Sequence, residues 1–125
     1  MKLFFVALFG ALMLATLASA PDARAHSEVI ASAPADGAVL ASSPERISLR
    51  FTAPMQITSL RILDFAGREQ SLQRQGSRTA FVTEAQATLA SPLPPGAFRI
   101  EFRGISADGH VGGGAVNFLI DPSRR

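Results

Sequence analysis

Two short segments of this chain alternate strictly between apolar and polar residues, and this pattern constrains the fold more than any other feature. In "RISLRF" (46–51) and in "FRIEFR" (98–103) every second residue is isoleucine, leucine or phenylalanine, and the residues between them are charged or serine. Successive side chains of a β-strand point to opposite faces, so this alternation is typical of strands with one buried face and one wet face. No segment of ten or more residues has the spacing of a convincing amphipathic helix, and the chain is therefore predicted to be all-β.

Apolar stretches elsewhere predict further strands near 28–32, 58–64, 79–83, 86–90 and 114–120. The turn signals "APADGA", "SSPE", "DFAG" and "PLPPG" separate these stretches. Phenylalanines at strand spacing are predicted core residues: Phe51, Phe98, Phe102 and Phe118. About seven short strands in roughly 100 residues fit a small antiparallel β-sandwich or barrel.

The first 25 residues are predicted to be a secretory signal peptide and not part of this domain. A positive start, "MK", precedes the nearly unbroken apolar stretch from Leu3 to Ala20, and two small-residue triplets follow, "ASA" and "ARA". A membrane anchor is the alternative, because about 18 apolar residues can just span a bilayer. The A-x-A site at the end of the segment favours export, which places the protein in the periplasm.

The choice between the two triplets decides how the mature chain begins. Cleavage after Ala20 leaves Pro21 first, which is unfavourable because proline fixes the backbone where the peptidase must bind. Cleavage after Ala25 is therefore preferred, so that the mature domain is 26–125 and starts with His26.

Composition excludes several classes of function. Twelve Lys and Arg stand against ten Asp and Glu, and the arginines are scattered, which argues against a nucleic-acid-binding surface. The absence of cysteine excludes a disulfide framework, a thiol nucleophile and a thiolate metal site. Any chemistry must come from loops and from the amino terminus.

Both histidines of the chain fall at such positions. An amino-terminal His26 presents an α-amine and an imidazole together, and the α-amine has a pKa of about 7.7–8.0, low enough to release its proton to a metal. Asp108 and His110, in "SADGHVGGG", are two positions apart, and on an extended stretch such side chains face one side. This nitrogen-rich set without thiols suits a tetragonal Cu(II) ion. The alternative is an ordinary loop histidine, solvated or locally hydrogen-bonded, beside an Asp-Gly turn.

The segments "HSEVIASAPADGAVLASSPERISLRFTAPM" and "LPPGAFRIEFRGISADGHVGGGAVNFLI" resemble the CopC family of periplasmic copper-resistance proteins, over essentially the whole mature chain. The resemblance implies a seven-strand-type β-sandwich of cupredoxin- or immunoglobulin-like form that binds and carries copper without catalysis. It also implies Cu(II) ligands at His26, Asp108 and His110. The implied partner is a membrane copper transporter of the CopD type or a periplasmic copper protein, with no small-molecule substrate.

Two positions depart from the family pattern. Ala53 in "FTAPM" stands where family members often carry an acidic residue, so that carboxylate is lost; Asp108 or Glu28 could compensate. The continuation "HVGGG" replaces a His-Pro pattern, which predicts a looser loop and a lower affinity. Some members hold Cu(I) through several methionines, but Met55 is the only methionine of this chain beyond residue 25. We therefore expect a single Cu(II) site and no separate Cu(I) site, and we expect Met55 to lie in the core.

Two other classes of function remain as alternatives. An amino-terminal histidine with a second histidine also forms the copper brace of lytic polysaccharide monooxygenases, but the chain has no Trp or Tyr with which to stack sugars. The other alternative is a metal-free accessory or adhesive β-sandwich, since a fold does not determine a function.

Overall fold

The computed structural model describes residues 29–124, which form strands and turns without a helix. The strands are β1 (Val29–Ala33), β2 (Ala38–Leu40), β3 (Arg46–Asp64), β4 (Glu69–Gln70), β5 (Leu72–Arg74), β6 (Phe81–Leu89), β7 (Gly96–Ser106) and β8 (Val111–Ile120). The predicted all-β class is confirmed. The predicted signal peptide, His26 and Glu28 lie outside the described residues.

The strands pair in the order β2-β8-β7-β3-β6-β5, and β1 and β4 both pair with β3. All pairings are antiparallel except that of β2 with β8, which is parallel. Eight strands replace the predicted seven or so. The segments 46–51 and 58–64 belong to one strand, β3, and the segments 79–83 and 86–90 belong largely to another, β6, while the short β2, β4 and β5 were not predicted.

An irregularity in the middle of β3 curls the sheet. Arg50 pairs with Glu84 of β6, and Met55 pairs with Val82, so five steps along β3 match only two along β6. The residues between them, "FTAP", therefore bulge out of the ladder, and proline is tolerated at such positions because it has no N–H to donate. The first part of β3 pairs with β1, and the part after the bulge pairs with β7.

The inward faces of these strands form one hydrophobic core. The four phenylalanines predicted to be buried are at most 4% exposed, and the ring centroids of Phe51 and Phe102 lie 5.2 Å apart. Phe98 stacks on Phe118 at 5.7 Å. Met55 is 2% exposed, which confirms its place in the core. Burial of these aromatic rings stabilises the packing of β3, β7 and β8.

Two acidic residues that the sequence assigns to turns do act there. The Asp64 carboxylate accepts hydrogen bonds from the backbone N–H groups of Ala66 and Arg68, at 2.9 and 2.8 Å, in a turn where Gly67 has a φ of 88°. The Asp36 carboxylate accepts a bond of 2.9 Å from the N–H of Asn117 and so ties the loop before β2 to β8. Both interpretations as turn residues are confirmed.

Candidate functional site

The loop that joins β7 to β8 carries Asp108 and His110. The N–H of Ser106 donates to the carbonyl of His110 at 2.9 Å, which closes the hairpin, and the N–H of Gly109 donates to the carbonyl of Ser106 at 2.9 Å. Gly109 has a φ of 89°, a conformation that favours glycine because it has no Cβ. The sequence "SADGH" therefore folds into a compact turn that fixes where the acid and the histidine lie.

Side-chain hydrogen bonds hold the two residues against each other. The Nδ1 atom of His110 lies 3.0 Å from Oδ2 of Asp108. The other carboxylate oxygen of Asp108 accepts a hydrogen bond from the Ser106 hydroxyl. The N–H of His110 points at the same group, 3.2 Å from the Ser106 hydroxyl oxygen and 3.4 Å from Asp108 Oδ1. The three side chains thus form one connected arrangement in which Asp108 lies between the other two.

These bonds favour the ionised form of Asp108. They lower the pKa of its carboxyl group to about 2, and the largest cause is the hydrogen bond from Ser106, followed by those from the side chain and backbone of His110. Asp108 is therefore a carboxylate at any physiological pH. An ionised carboxylate only accepts hydrogen bonds, so Nδ1 of His110 must carry the proton of the bond between them.

The protonation of Nδ1 leaves Nε2 of a neutral His110 with a free lone pair. A carboxylate that accepts from one ring nitrogen and so orients the other is the usual companion of a metal-binding histidine. The side chain of His110 is 84% exposed and that of Asp108 is 68% exposed. A metal ion, or another protein, has open access to this nitrogen.

The described residues include two of the three predicted ligands. Within 29–124, no group of three or more His, Cys, Asp or Glu side chains is close enough to hold a metal ion. The structure brings together Asp108 and His110 of the predicted ligand set, while His26 lies outside the described residues.

The amino-terminal end of β1 lies on the same side of β3 as the candidate site. Leu49 of β3 pairs with Ser32 of β1 on one side and with Ala85 of β6 on the other. Met55 pairs with Ser106 of β7 on one side and again with β6 on the other. β1 and β7 therefore follow one edge of β3, end to end, and the bulge between them shortens their separation. Because β1 is antiparallel to β3, its first residue, Val29, is the one nearest Ser106.

Sequence reasoning gave no role to Ser106. Its hydroxyl is a partner of both Asp108 and the His110 backbone. The available signal was a serine two positions before an aspartate, since serine and aspartate commonly bond to nearby backbone groups in turns.

The fold and the loop together define a small all-β protein whose curled sheet carries an exposed acid–histidine pair at one hairpin. The family model described as the CopC domain matches residues 29–121, and the chain belongs to the CopC family. This finding confirms the resemblance seen in the sequence.

Two curated relatives carry the name copper resistance protein C. The protein from Pseudomonas syringae pv. tomato is 29% identical over 123 residues, covering 93% of this chain and 94% of the relative. The protein from Xanthomonas campestris pv. juglandis is 28% identical over 116 residues, covering 87% and 90%. The family is thus one of copper resistance proteins and not of enzymes.

Solved structures share the fold. The crystal structure of CopC from Methylosinus trichosporium OB3b matches with a TM-score of 0.66 at 26% identity, over 80% of this chain and 98% of that one. The structure of PcoC, a methionine-rich copper resistance protein from Escherichia coli, matches with a TM-score of 0.61 at 21% identity, over 77% and 99%. Within residues 29–124, we find no helix long and apolar enough to cross a membrane.

Proposed function

We propose that this protein is a periplasmic copper carrier that binds one Cu(II) ion through His26, Asp108 and His110. Residues 1–25 act as the signal peptide, and the mature domain, 26–125, begins with His26. The α-amine and imidazole of His26 and Nε2 of His110 supply nitrogen ligands. An ion on Nε2 lies across the ring from the carboxylate that contacts Nδ1, so Asp108 binds the same ion only after its carboxylate leaves Nδ1. Copper is the cargo of the protein, which passes it to a partner in copper resistance or homeostasis.

The observation that carries the proposal is the Asp108–His110 pair, with the imidazole oriented so that Nε2 is free. The 3.0 Å contact between Nδ1 and the carboxylate favours this orientation. A ligand that is already oriented loses less conformational entropy when the ion binds. The alternative, a loop histidine that is only locally hydrogen-bonded beside an Asp-Gly turn, shows the same contact, and the copper titration below distinguishes the two.

The distance along the chain supports participation of His26. His26 is three positions before Val29, so an extended chain would reach about 10 Å beyond β1. Val29 is opposite Phe51, and Ser106 is opposite Met55, across the bulge of β3. The partners of Arg50 and Met55 on β6, Glu84 and Val82, are two positions apart, so the ends of the bulge are separated by about 7 Å along the strand. The amino terminus is therefore within reach of the β7–β8 loop.

The donor set favours Cu(II) over other ions. Nitrogen ligands with a carboxylate and without thiolates suit a tetragonal Cu(II) ion, which also has the highest affinity in the divalent series. Met55, the only methionine beyond residue 25, is buried in the core, so its thioether is not presented at the surface for Cu(I). In this respect the chain differs from the methionine-rich relative of Escherichia coli.

Hand-over to a partner follows from the exposure of the pair and from proton competition. A membrane copper transporter of the CopD type or a periplasmic copper protein is the partner we propose. The amine and both imidazoles bind copper only without their protons, so affinity falls as the pH drops from about 7 to about 5. The open position of His110 allows an incoming ligand to approach the ion directly.

The proposal is tested by intact mass spectrometry of the exported protein, followed by Cu(II) titration of the same sample. We expect a mass that begins at His26 and one tightly bound Cu(II). His110→Ala should weaken binding strongly, and so should an extra glycine placed before His26, because it moves the amine away from the imidazole. Glu45→Gln, which removes an exposed carboxylate far from the loop, is the control.

Other results would direct the interpretation elsewhere. If the mass begins at another residue, the amine chelate is excluded. If His110→Ala binds copper as the unchanged protein does, the copper site is not at this loop. If the unchanged protein binds no copper, a metal-free accessory domain becomes the better interpretation.

A further inference from the structure

One edge of the sheet remains open beside the candidate site. Strand β8 pairs with β7 along its whole length, but on its other side β2 pairs only with residues 118–120. Among residues 29–124, no strand pairs with this outer side of 111–115. The open segment begins directly after His110.

The hydrogen bonds at Asn117 show which backbone groups face this edge. The N–H of Asn117 donates to Asp36, and its carbonyl accepts from the N–H of Gly37 at 2.7 Å, both on the side away from β7. In an antiparallel ladder, alternate residues direct their N–H and C=O to the same side. Val111, Gly113 and Ala115 therefore direct theirs to the open edge.

This edge lacks the features that usually block strand addition. Proteins commonly protect such edges with charged residues, prolines or bulges. The segment Val111–Ala115 has only valine, glycine and alanine, and it pairs regularly with Glu101–Ile105 of β7, without a bulge. An added strand would meet no side chain large enough to exclude it.

The wet face beside this edge has a positive charge. A groove of about 640 Å³ is floored by the glycine stretch of β8 and lined by Arg61, Arg99 and Arg103, with Glu101 as its only acidic residue. Glu101 lies between Arg61, at 2.7 Å, and Arg99, at 3.2 Å. No carboxylate of the described residues lies within ion-pair distance of Arg103, whose side chain passes over Gly113.

We propose that the edge 111–115 binds an extended, acidic segment of a partner protein, which adds to the sheet as a strand next to β8. Backbone hydrogen bonds to Val111, Gly113 and Ala115 supply affinity, and carboxylates of the segment pair with Arg103 and its neighbours. A second copy of this chain fits less well, because its own open segment brings no carboxylate to the arginines. The docked segment lies beside His110, where a copper-handling partner would need to be.

The test uses nuclear magnetic resonance of the ¹⁵N-labelled, copper-free protein with a synthetic peptide of alternating glutamate and valine, about eight residues long. We expect shift changes confined to 111–115 and the facing residues of β7. Arg103→Glu should weaken binding at least about fivefold, because attraction becomes repulsion. Arg46→Glu makes the same charge change on an exposed residue of β3 distant from β8 and should have no effect.

Two further controls separate backbone pairing from charge alone. A peptide methylated on alternate backbone nitrogens cannot pair and should not bind. Ala115→Pro removes one edge N–H without removing a bond to β7, and should weaken binding of the unmodified peptide while the thermal unfolding curve shows that the protein remains folded.

The proposal is wrong if the peptide shifts other regions, if it does not bind at millimolar concentration, or if the methylated peptide binds equally well. It is also wrong if the protein alone associates through this edge as its concentration rises. Because the measurement uses copper-free protein, its result is independent of the copper titration.

Discussion

Replacement of Gly113 by alanine should destabilise the protein because two backbones approach closely at this point. A Cβ atom at Gly113 would lie 2.5 Å from the carbonyl oxygen of Phe102, whereas such atoms do not approach within 3.0 Å. Strands β7 and β8 must therefore separate by roughly half an ångström there, which strains the ladder on both sides. Overpacking of this kind costs about 1–3 kcal/mol, so we expect the free energy of unfolding to fall by about 2 kcal/mol.

The neighbouring glycine gives a matched control. A Cβ at Gly112 would meet no atom within 4 Å. Gly112→Ala should be neutral or stabilising by about 0.4–1 kcal/mol, because alanine has fewer conformations in the unfolded chain. Thermal unfolding should therefore give a Tm for Gly113→Ala roughly 10 °C below that of the unchanged protein, at about 4–8 °C per kcal/mol for a domain of this size. Equal Tm values for the two variants would refute the close-approach argument.

Three other predictions concern the core and the loop. Phe102→Ala should lower the free energy of unfolding by about 3–5 kcal/mol in urea titrations, since its ring is 2% exposed; a loss below 1 kcal/mol would contradict its central position. The carboxyl of Asp108 should titrate near pH 2 by nuclear magnetic resonance, and this pKa should rise in Ser106→Ala. Because the pKa of Asp108 is lower in the folded protein than in the unfolded chain, the ionised carboxylate stabilises the fold above about pH 4, and this contribution is lost as the pH falls toward 2. Copper titration under reducing conditions should reveal no additional Cu(I) equivalent, since Met55 is buried, and a second equivalent bound only with reductant would be against this expectation.

The fold could be predicted where one strand face is buried and one is wet. The alternation of apolar and polar residues in 98–103 correctly predicted which side chains of β7, such as Phe98 and Phe102, point into the core. The same reasoning divided β3 into two strands, because Thr52, Ala53 and Pro54 interrupt the alternation. In the structure these residues form a bulge and the strand continues. Strand β2, three residues long and parallel to β8, has no periodic signal, since its pairing depends on contacts distant in the sequence.

The candidate site was only partly accessible to sequence reasoning. Asp108 and His110 do meet, but not because alternate residues of an extended stretch face one side. They meet because Gly109, with φ at 89°, turns the chain and the Ser106 hydroxyl holds the carboxylate in place. Which ring nitrogen of His110 faces Asp108 and which is left free depends on the arrangement of Ser106, Asp108 and His110. The spacing of residues in the sequence does not predict this. The glycines after His110 look alike in sequence, yet only the facing backbone of β7 makes Gly113 different from Gly112.

The β7–β8 hairpin joins the two proposed activities. Its loop orients an exposed histidine, and its second strand offers unpaired backbone groups beginning at the next residue. The missing side chain at Gly113 lets β8 approach β7 closely, and the glycines of β8 form the floor of the groove that the arginines of β7 line. A partner strand added at this edge would have its nearest residue within about two strand positions of His110, roughly 7 Å, so that docking brings its ligands toward the ion. Direct ligand exchange at the proposed site would depend on such an approach, because in that route the incoming ligand enters the coordination sphere before the first protein releases the metal.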